Sequence, residues 1–358
     1  MRAGIVGLPQ SGKTTFFNAL TGAHGDVGAY HAGTQVNVAV VRVPDERLDA
    51  LTRMLEPKEV MGATIEFEDV GGVFAHLAGG ERQGRAVAAL RDTDAVLTVL
   101  RCFEAAHVLE VLGGVDPARE HKAMREELLL ADLEVIEHRL PAVEHDILRG
   151  SSDREALLQE QALLERCRQA VEGEEGLRAV GMGANEEKQL RSYAFLTLKP
   201  QICILNIGED QIPSPPQPEG LAGLEPPPIA VCAELEMELM ELAPDERAAF
   251  MADAGLSELA TGRVIRACYD ALGLCSFFTH VSDKLRAWTV PAGIDARSAA
   301  GAVHTDMEKG FIRAEVVSFA DLQACGSLKD ARAAGKLRME GKDYPVQDGD
   351  VITFHFSR

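Results

Sequence analysis

The sequence predicts an α/β protein: a layered alternation of strands and helices, interrupted by a helical pair and followed by a smaller α+β unit. Three observations carry this. Short apolar runs alternate with helical patterns over residues 1–110, residues 117–192 change to charged helices with a narrow apolar seam, and from Ser276 onward short strands dominate.

In the first stretch the strands fall at Ala3–Val6, Val36–Val43, Thr64–Asp69 and Ala95–Arg101, and a helix starts at Lys13 and ends near Gly22, a good stop signal. Leu129, Leu133, Ile136 and Leu140 then recur at spacings of four and three. Beyond a polar turn at Gly150, Ser151 and Ser152, a second helix carries Leu157, Leu164 and Val171 at seven-residue intervals. Two such helices suggest an antiparallel hairpin; an ordinary pair of packed helices would look much the same. The α/β pattern resumes at Gln201–Asn206 and Ile229–Cys232, separated by the Pro-rich connector SPPQPEGLAGLEPPP, so the helical pair is an insertion in the first domain. The last part has strands at Ala287–Val290, Ala314–Val317, Lys336–Met339 and Val351–Phe356, helices at 296–303 and 319–325, and an Asp348-Gly349-Asp350 turn signal. The expected division is 1–116 with 197–275, an insertion at 117–196, and a C-terminal domain at 276–358.

With 358 residues, 46% apolar and 26% charged, the chain has the composition of a soluble multidomain protein. No run has the length needed to cross a bilayer, and MRAGIVGLP lacks a basic segment followed by a long apolar stretch, so a cytoplasmic protein without a membrane partner is expected. Seven scattered cysteines without a C-x-x-C pair suggest neither zinc nor a disulfide framework, but buried small hydrophobes. The net charge of −20 argues against indiscriminate binding to nucleic acid or anionic membranes. Residues 275–358 are neutral, with 11 Lys/Arg against 11 Asp/Glu, so any RNA contact is least repelled there.

The strongest chemical signal is Gly7-Leu-Pro-Gln-Ser-Gly12-Lys13-Thr14, which fits G-x-x-x-x-G-K-[ST] between a strand and a helix. Its glycines let backbone N–H groups converge on phosphates, aided by the positive end of the helix. Pro9, Gln10, Ser11, Gly12, Lys13, Thr14 and Thr15 are therefore candidate nucleotide ligands. Lys13 would reach the β- and γ-phosphates, and the Thr14 hydroxyl would hold Mg²⁺. Asp69 ends the strand TIEFED with Gly72 three residues on, a D-x-x-G in which Asp69 serves Mg²⁺ and the Gly72 amide senses the γ-phosphate. Thr34 is either a switch residue closing on Mg²⁺ or a plain loop threonine.

Base recognition departs from the guanine-reading N-K-x-D. Here Asn206-Ile207-Gly208-Glu209 stands, with an aliphatic residue for Lys and an acid one methylene longer, which weakens guanine selection while Asn206 retains the geometry that suits adenine. Asn206, Ile207, Glu209, Cys232 and Ala233 complete the candidate nucleotide-binding set. Val73 follows Gly72 where Ras-like enzymes carry a water-orienting Gln, so hydrolysis is expected to be slow unless another group assists; His76 lies nearby, though a loop histidine is more often only that.

Together these stretches resemble the Obg-like ATPase family, YchF in bacteria, among the translation-factor-related P-loop GTPases. The resemblance is carried by GIVGLPQSGKTTFFNALT, VVRVPDERLDAL, RDTDAV followed by RCFE, LLLADLEVIEHRL, LTLKP, and the C-terminal RAWTVPAGIDARSAAGAVHTDMEKGFIRAEVVSFADL with GKDYPVQDGDVITFHF. It implies a P-loop G domain, an inserted helical hairpin and a C-terminal TGS domain of β-grasp type. It also implies N-x-x-E at Asn206 and Glu209 with ATP often preferred over GTP, a hydrophobic residue at Val73, and association with ribosomes. The chain departs from the family's P-N-V-G-K-S at Gln10, Ser11 and Thr14, from its Gly-rich loop after D-x-x-G, and from the aromatic and cysteine that often precede Thr34. The expected function is a slow Mg²⁺-dependent nucleotide hydrolase and switch, ATP over GTP, that engages ribosome or RNA through its TGS and helical parts; Lys13, Thr34 and Gly72 are its expected catalytic groups. A non-catalytic nucleotide-binding scaffold is the alternative. His304, Lys309 and Arg313 are equally well read as RNA contacts or as a solvated surface.

Overall fold

A computed structural model describes residues 1–24, 36–71, 81–104, 114–150, 153–254, 256 and 258–357. The described residues form two compact units. One holds residues 1–23, 36–39 and 66–261; the other holds 24, 40–65 and 262–357. Segments 40–65 and 262–275, drawn with the nucleotide domain from the sequence, pack in the second unit.

The first unit is built on β1 (Arg2–Val6), which leads into α1 (Lys13–His24), two residues beyond Gly22. The chain leaves the unit within β2 (Val36–Arg42), runs through α2 (Glu46–Leu55) and β3 (Glu59–Met61), and returns within β4 (Thr64–Val70). There follow α3 (Glu81–Arg91), β5 (Ala95–Arg101), the long α4 (Pro117–Leu148), α5 (Arg154–Glu172), α6 (Ala184–Leu190), β6 (Gln201–Asn206), β7 (Ile229–Val231), α7 (Ala233–Glu241) and α8 (Pro244–Asp253). The sheet order is β2-β4-β1-β5-β6-β7, with β4, β1, β5, β6 and β7 mutually parallel where they pair. All seven residues of β5 are buried, as a central parallel strand covered on both faces requires. Successive strands go to one side of β1 and then to the other, so β1 marks the switch point where such sheets open a crevice at their carboxyl ends.

The α4–α5 hairpin has two kinds of packing. Met124, Leu128 and Ala131 on the first half of α4 belong to the core of the sheet. Leu129 and, from the distal half, Ile136, Leu140 and Val143 join a separate cluster with Leu163, Leu164, Cys167 and Val171 of α5. The two apolar seams legible in the sequence are this second cluster, with Leu133 and Leu157 at its margin. Asp132, fully buried between the two regions, accepts from the Leu196 and Thr197 N–H groups and the Thr197 hydroxyl, each at 2.8 Å, and faces Arg91 at 3.4 Å. Arg91 also donates to the Ala131 and Ala194 carbonyls, so the insertion is pinned to the end of α3 at its root. Lys199 of LTLKP donates to the carbonyls of Leu90, Arg91 and Thr93, where burial pushes its ammonium down to about 8.

The second unit adds α9 (Ala260–Ala271), β8 (Leu274–Val281), β9 (Lys284–Pro291), α10 (Ala296–Val303), α11 (Thr305–Lys309), β10 (Phe311–Ser318), α12 (Phe319–Cys325), α13 (Leu328–Ala333), β11 (Arg338–Glu340) and β12 (Asp350–Phe356). Its sheet runs β11-β10-β12-β8-β9-β3, with β12 parallel to β8 and antiparallel to β10, the β-grasp arrangement around Phe277, Val290, Ala299, Val316 and Ile352. Strand β8 was not drawn from the sequence because Ser276, Thr279 and His280 interrupt its apolar residues and no alternation is left, although residues 275–279 are buried on both faces. The strand drawn at Lys336–Met339 begins two residues later, since Gly335 is left-handed and the Lys336 N–H still bonds to Ala331. Six cysteines are buried and Cys325 is partly so; burial pushes the Cys203 thiol up to about 12.

Candidate functional site

Five strand ends converge on one edge of the parallel sheet, and the candidate residues sit there. The loop after β1 is shaped by two left-handed residues, Gln10 (φ 66°) and Gly12 (φ 85°). Gly12 is required twice over: a Cβ there would lie 2.1 Å from Asn206 Nδ2 as well as in a conformation side chains avoid. At Gly7 a Cβ would come within 2.6 Å of both Ser11 Oγ and the Val99 carbonyl. Gln10 holds its positive φ without glycine's freedom, a local strain of the kind found where a loop is shaped for a ligand. Pro9 and Gln10 are exposed, Ser11 is buried, and Lys13 and Thr15 are half-buried.

Lys13 bends back so that Nζ donates to the Leu8 carbonyl at 2.9 Å, closing the loop on itself. Burial lowers its pKa, while the carboxylates of Asp69 and Glu120 pull in the opposite direction. The exposed Thr14 donates its hydroxyl to Asp69 Oδ2 at 3.0 Å. Asp69 is buried at the end of β4, and among the described residues neither its Oδ1 nor the buried Ser11 Oγ has a hydrogen-bond partner. A hydroxyl beside a carboxylate with an unused oxygen is the hard-oxygen donor set that suits Mg²⁺, which keeps much of its water and needs few protein ligands. Thr14 and Asp69 thus fit the ion, whereas Thr34, Gly72, Val73 and His76 lie outside the described residues.

The base side is assembled from separate elements. Asn206, at the end of β6 and 4% exposed, is engaged at both ends: Nδ2 donates to the Ser11 carbonyl at 3.0 Å, and Oδ1 accepts from Ala233 N–H at 3.3 Å. One side chain therefore ties the phosphate loop to the start of α7. Ile207 is buried and bonds through its N–H to the Val231 carbonyl, Cys232 and Ala233 are buried, and Glu209 is exposed at the start of a short 3₁₀ turn, Glu209–Gln211.

Three residues at this site carried no chemistry in the sequence reading. Phe103 follows β5, half-buried, with its ring 3.8 Å from the place a Gly12 Cβ would occupy and its own Cβ 3.7 Å from that of Gly208. Gln211 accepts from Gly208 N–H at 2.9 Å and donates to the Cys102 carbonyl at 3.0 Å, holding the two loops together. Glu120 of α4 accepts from the Arg101 N–H at 3.0 Å. Only RCFE hinted at any of them, and the spatial partners of these groups lie far along the chain. In the second unit His304 and Lys309 line an open groove of about 700 Å³ with Asp306, Met307, Gly310 and Phe356; exposed Arg313, on β10, does not line it. Among the described residues no helix is long and apolar enough to cross a membrane, and no cluster of three or more His, Cys, Asp or Glu residues forms a metal centre.

Comparison with known proteins agrees with this geometry. Residues 2–134 match the family MMR_HSR1, described as 50S ribosome-binding GTPase, and residues 274–357 match YchF-GTPase_C, described as a protein of unknown function (DUF933). The chain is 41% identical over 362 residues to the ribosome-binding ATPase YchF of Escherichia coli O157:H7, covering 99% of each. It is 38% identical over 366 residues to that of Bacillus subtilis, covering 100% of this chain and 99% of the relative. The solved structure of the Schizosaccharomyces pombe YchF GTPase superposes with a TM-score of 0.87 at 29% identity, over 99% of this chain and 97% of that one. With a phosphate loop at the sheet's switch point and relatives matched from end to end, the chain belongs to the YchF family of P-loop nucleoside triphosphatases.

Proposed function

We propose that this P-loop NTPase binds ATP in preference to GTP with Mg²⁺, hydrolyses it slowly, and uses the cycle as a switch in contact with the ribosome. The observation that carries the reading is the Thr14–Asp69 pair, a hydroxyl and a buried carboxylate whose second oxygen has no partner among the described residues, placed beside Lys13 at the mouth of the phosphate loop. Bound there, Mg²⁺ would neutralise charge on the β- and γ-phosphates. The chain's own part is to cradle the phosphates with the backbone of residues 7–14, to place the Lys13 ammonium on them, and to orient the metal's ligands. Catalysis of this kind is positioning and charge stabilisation, with little covalent chemistry for side chains to perform. Thr34 and Gly72 belong to the proposal as the groups that respond to the γ-phosphate, and Val73, unable to orient water, accounts for slow turnover.

ATP preference rests on Asn206, Ile207 and Glu209. A buried aliphatic residue takes the place of the lysine in N-K-x-D, and Glu209 stands exposed where a shorter acid would read guanine. Competition between ATP and GTP for the Mg²⁺-loaded protein tests this: ATP is expected to win, and a guanine preference above about tenfold, roughly 1.4 kcal/mol, would overturn the assignment. The ribosome is proposed as partner because the full-length relatives are named ribosome-binding ATPases. The β-grasp unit, read as a TGS domain, and the hairpin are the proposed contact elements, with RNA reached through His304, Lys309 and Arg313. Co-sedimentation with ribosomes tests them, and a Lys309→Glu/Arg313→Glu variant that sediments like the wild type would remove those residues from the proposal. The cytoplasm is the compartment such a partner requires.

A further inference from the structure

Glu120 serves the nucleotide site from outside every nucleotide motif. It lies in the first turn of α4, the helix that opens the insertion, and is 5% exposed. Acids are favoured in a helix's first turn because they face the positive end of its dipole, but they normally do so in water. That need is already met here, since Asp116 caps α4 by accepting from the Arg119 N–H at 3.0 Å. A buried carboxylate is costly unless hydrogen bonds and opposite charges offset the desolvation; burial pushes the Glu120 carboxyl above the usual range, against the pull of the Arg101 N–H and of the Arg101 and Arg119 guanidiniums.

The offset is visible in what Glu120 holds. Its Oε2 accepts from Arg101 N–H at 3.0 Å, at the last residue of β5. The neighbouring Cys102 N–H donates to the Asn206 carbonyl at 2.8 Å, and the Asn206 amide donates to the Ser11 carbonyl at 3.0 Å. A short series of hydrogen bonds therefore leads from the inserted helix through two strand ends to the phosphate loop. Phe103, one residue past Cys102, is the ring beside Gly12 and Gly208.

We propose that Glu120 is a positioning residue for nucleotide recognition: it fixes the Arg101–Phe103 end of β5 so that Phe103 and Asn206 meet the purine, and thereby makes the inserted hairpin part of the base site. This rests on the proposed reading of Asn206 as a purine contact, and it places Phe103, whose ring lies 3.8 Å from the position of a Gly12 Cβ, beside it on the base side. Glu120 itself touches no nucleotide.

The test is calorimetric titration of the full-length protein with Mg²⁺ and either ATP or inorganic tripolyphosphate, which has the phosphates but no base. Glu120→Ala is expected to weaken ATP about tenfold and to leave tripolyphosphate within about twofold. Glu120→Gln keeps the acceptor and is expected to bind both ligands within about threefold of wild type, while Glu120→Asp, short by a methylene, weakens ATP alone by about threefold. A merely structural role would lower both ligands together and would lower the melting temperature in proportion. Equal loss of ATP and tripolyphosphate in Glu120→Ala overturns the proposal, as does wild-type ATP affinity in that variant. If Glu120→Ala does not fold, Glu120→Asp decides: selective loss of ATP supports the proposal and unchanged ATP affinity overturns it. A wild type that binds ATP no better than tripolyphosphate overturns both this proposal and the base-side assignment, whereas a discriminating wild type with an indifferent Glu120→Ala overturns only the role of Glu120.

Discussion

The phosphate half and the base half of the site are built on opposite principles. Residues 7–14 form one contiguous loop whose ligands are largely backbone, and its shape is set locally by Gly7, Gly12 and the left-handed Gln10. The proposed base half has no contiguous segment: Phe103 comes from the end of β5, Asn206 from β6 and Ala233 from the start of α7, with Glu120 of the insertion bonded to the end of β5. The difference teaches where such a site can change. A backbone cradle can hold any triphosphate and tolerate side-chain replacement at positions such as Gln10 and Ser11, because N–H groups make the contacts. On the proposed reading, base selection depends on a few side chains held by others, so changes at Ile207 and Glu209 would alter it without disturbing the loop.

Variants separate the halves, beginning with the largest effect. Lys13→Ala is expected to weaken ATP and tripolyphosphate alike by at least about 100-fold, close to 3 kcal/mol, read by calorimetry. Selective loss of ATP alone would break the division. Asp69→Asn removes the charge that the metal needs but leaves an amide oxygen facing Thr14. The Mg²⁺ stimulation of ATP binding is expected to fall about 30-fold, while metal-free binding changes little. Next comes Asn206→Ala, which strands the Ser11 carbonyl and the Ala233 N–H. It should cost ATP about 2 kcal/mol and reduce discrimination between ATP and tripolyphosphate, with a smaller loss on tripolyphosphate through the loosened Ser11. The smallest effect is expected for Phe103→Leu, which replaces a ring by an aliphatic side chain: about 1 kcal/mol on ATP and none on tripolyphosphate, measured in the same titrations.

How much of this was legible follows from the same contrast. The phosphate loop was readable because its glycines, lysine and threonine fall within eight positions, and β5 and β6 were placed to the residue because each is an apolar run bounded by turn signals. Asn206 was readable as a candidate for the purine, but not as the tie between Ser11 and Ala233, because those groups are 195 and 27 residues away. Glu120 looked like any acid on a charged helix, and only folding shows that it is buried against β5. The same holds for Asp132, which the sequence did not single out and which bonds the root of the hairpin to Leu196 and Thr197. The segment 40–65 read as part of the nucleotide domain because it lies between two of its strands. Its place in the second unit is set by long-range pairing, β3 with β9 and Arg47 with Asp348 at 2.6 Å, and neither pairing leaves a local mark.

The central claim is that the cradle of residues 7–14, with Thr14 and Asp69, supports hydrolysis and is more than a nucleotide-stabilised surface. Single-turnover release of phosphate from ATP by the purified protein, with and without Mg²⁺ and with and without ribosomes, tests it most directly. The account predicts slow release that requires Mg²⁺ and is abolished in Lys13→Ala. Tight nucleotide binding by the wild type, lost in Lys13→Ala, with no phosphate released under any of these conditions would contradict it.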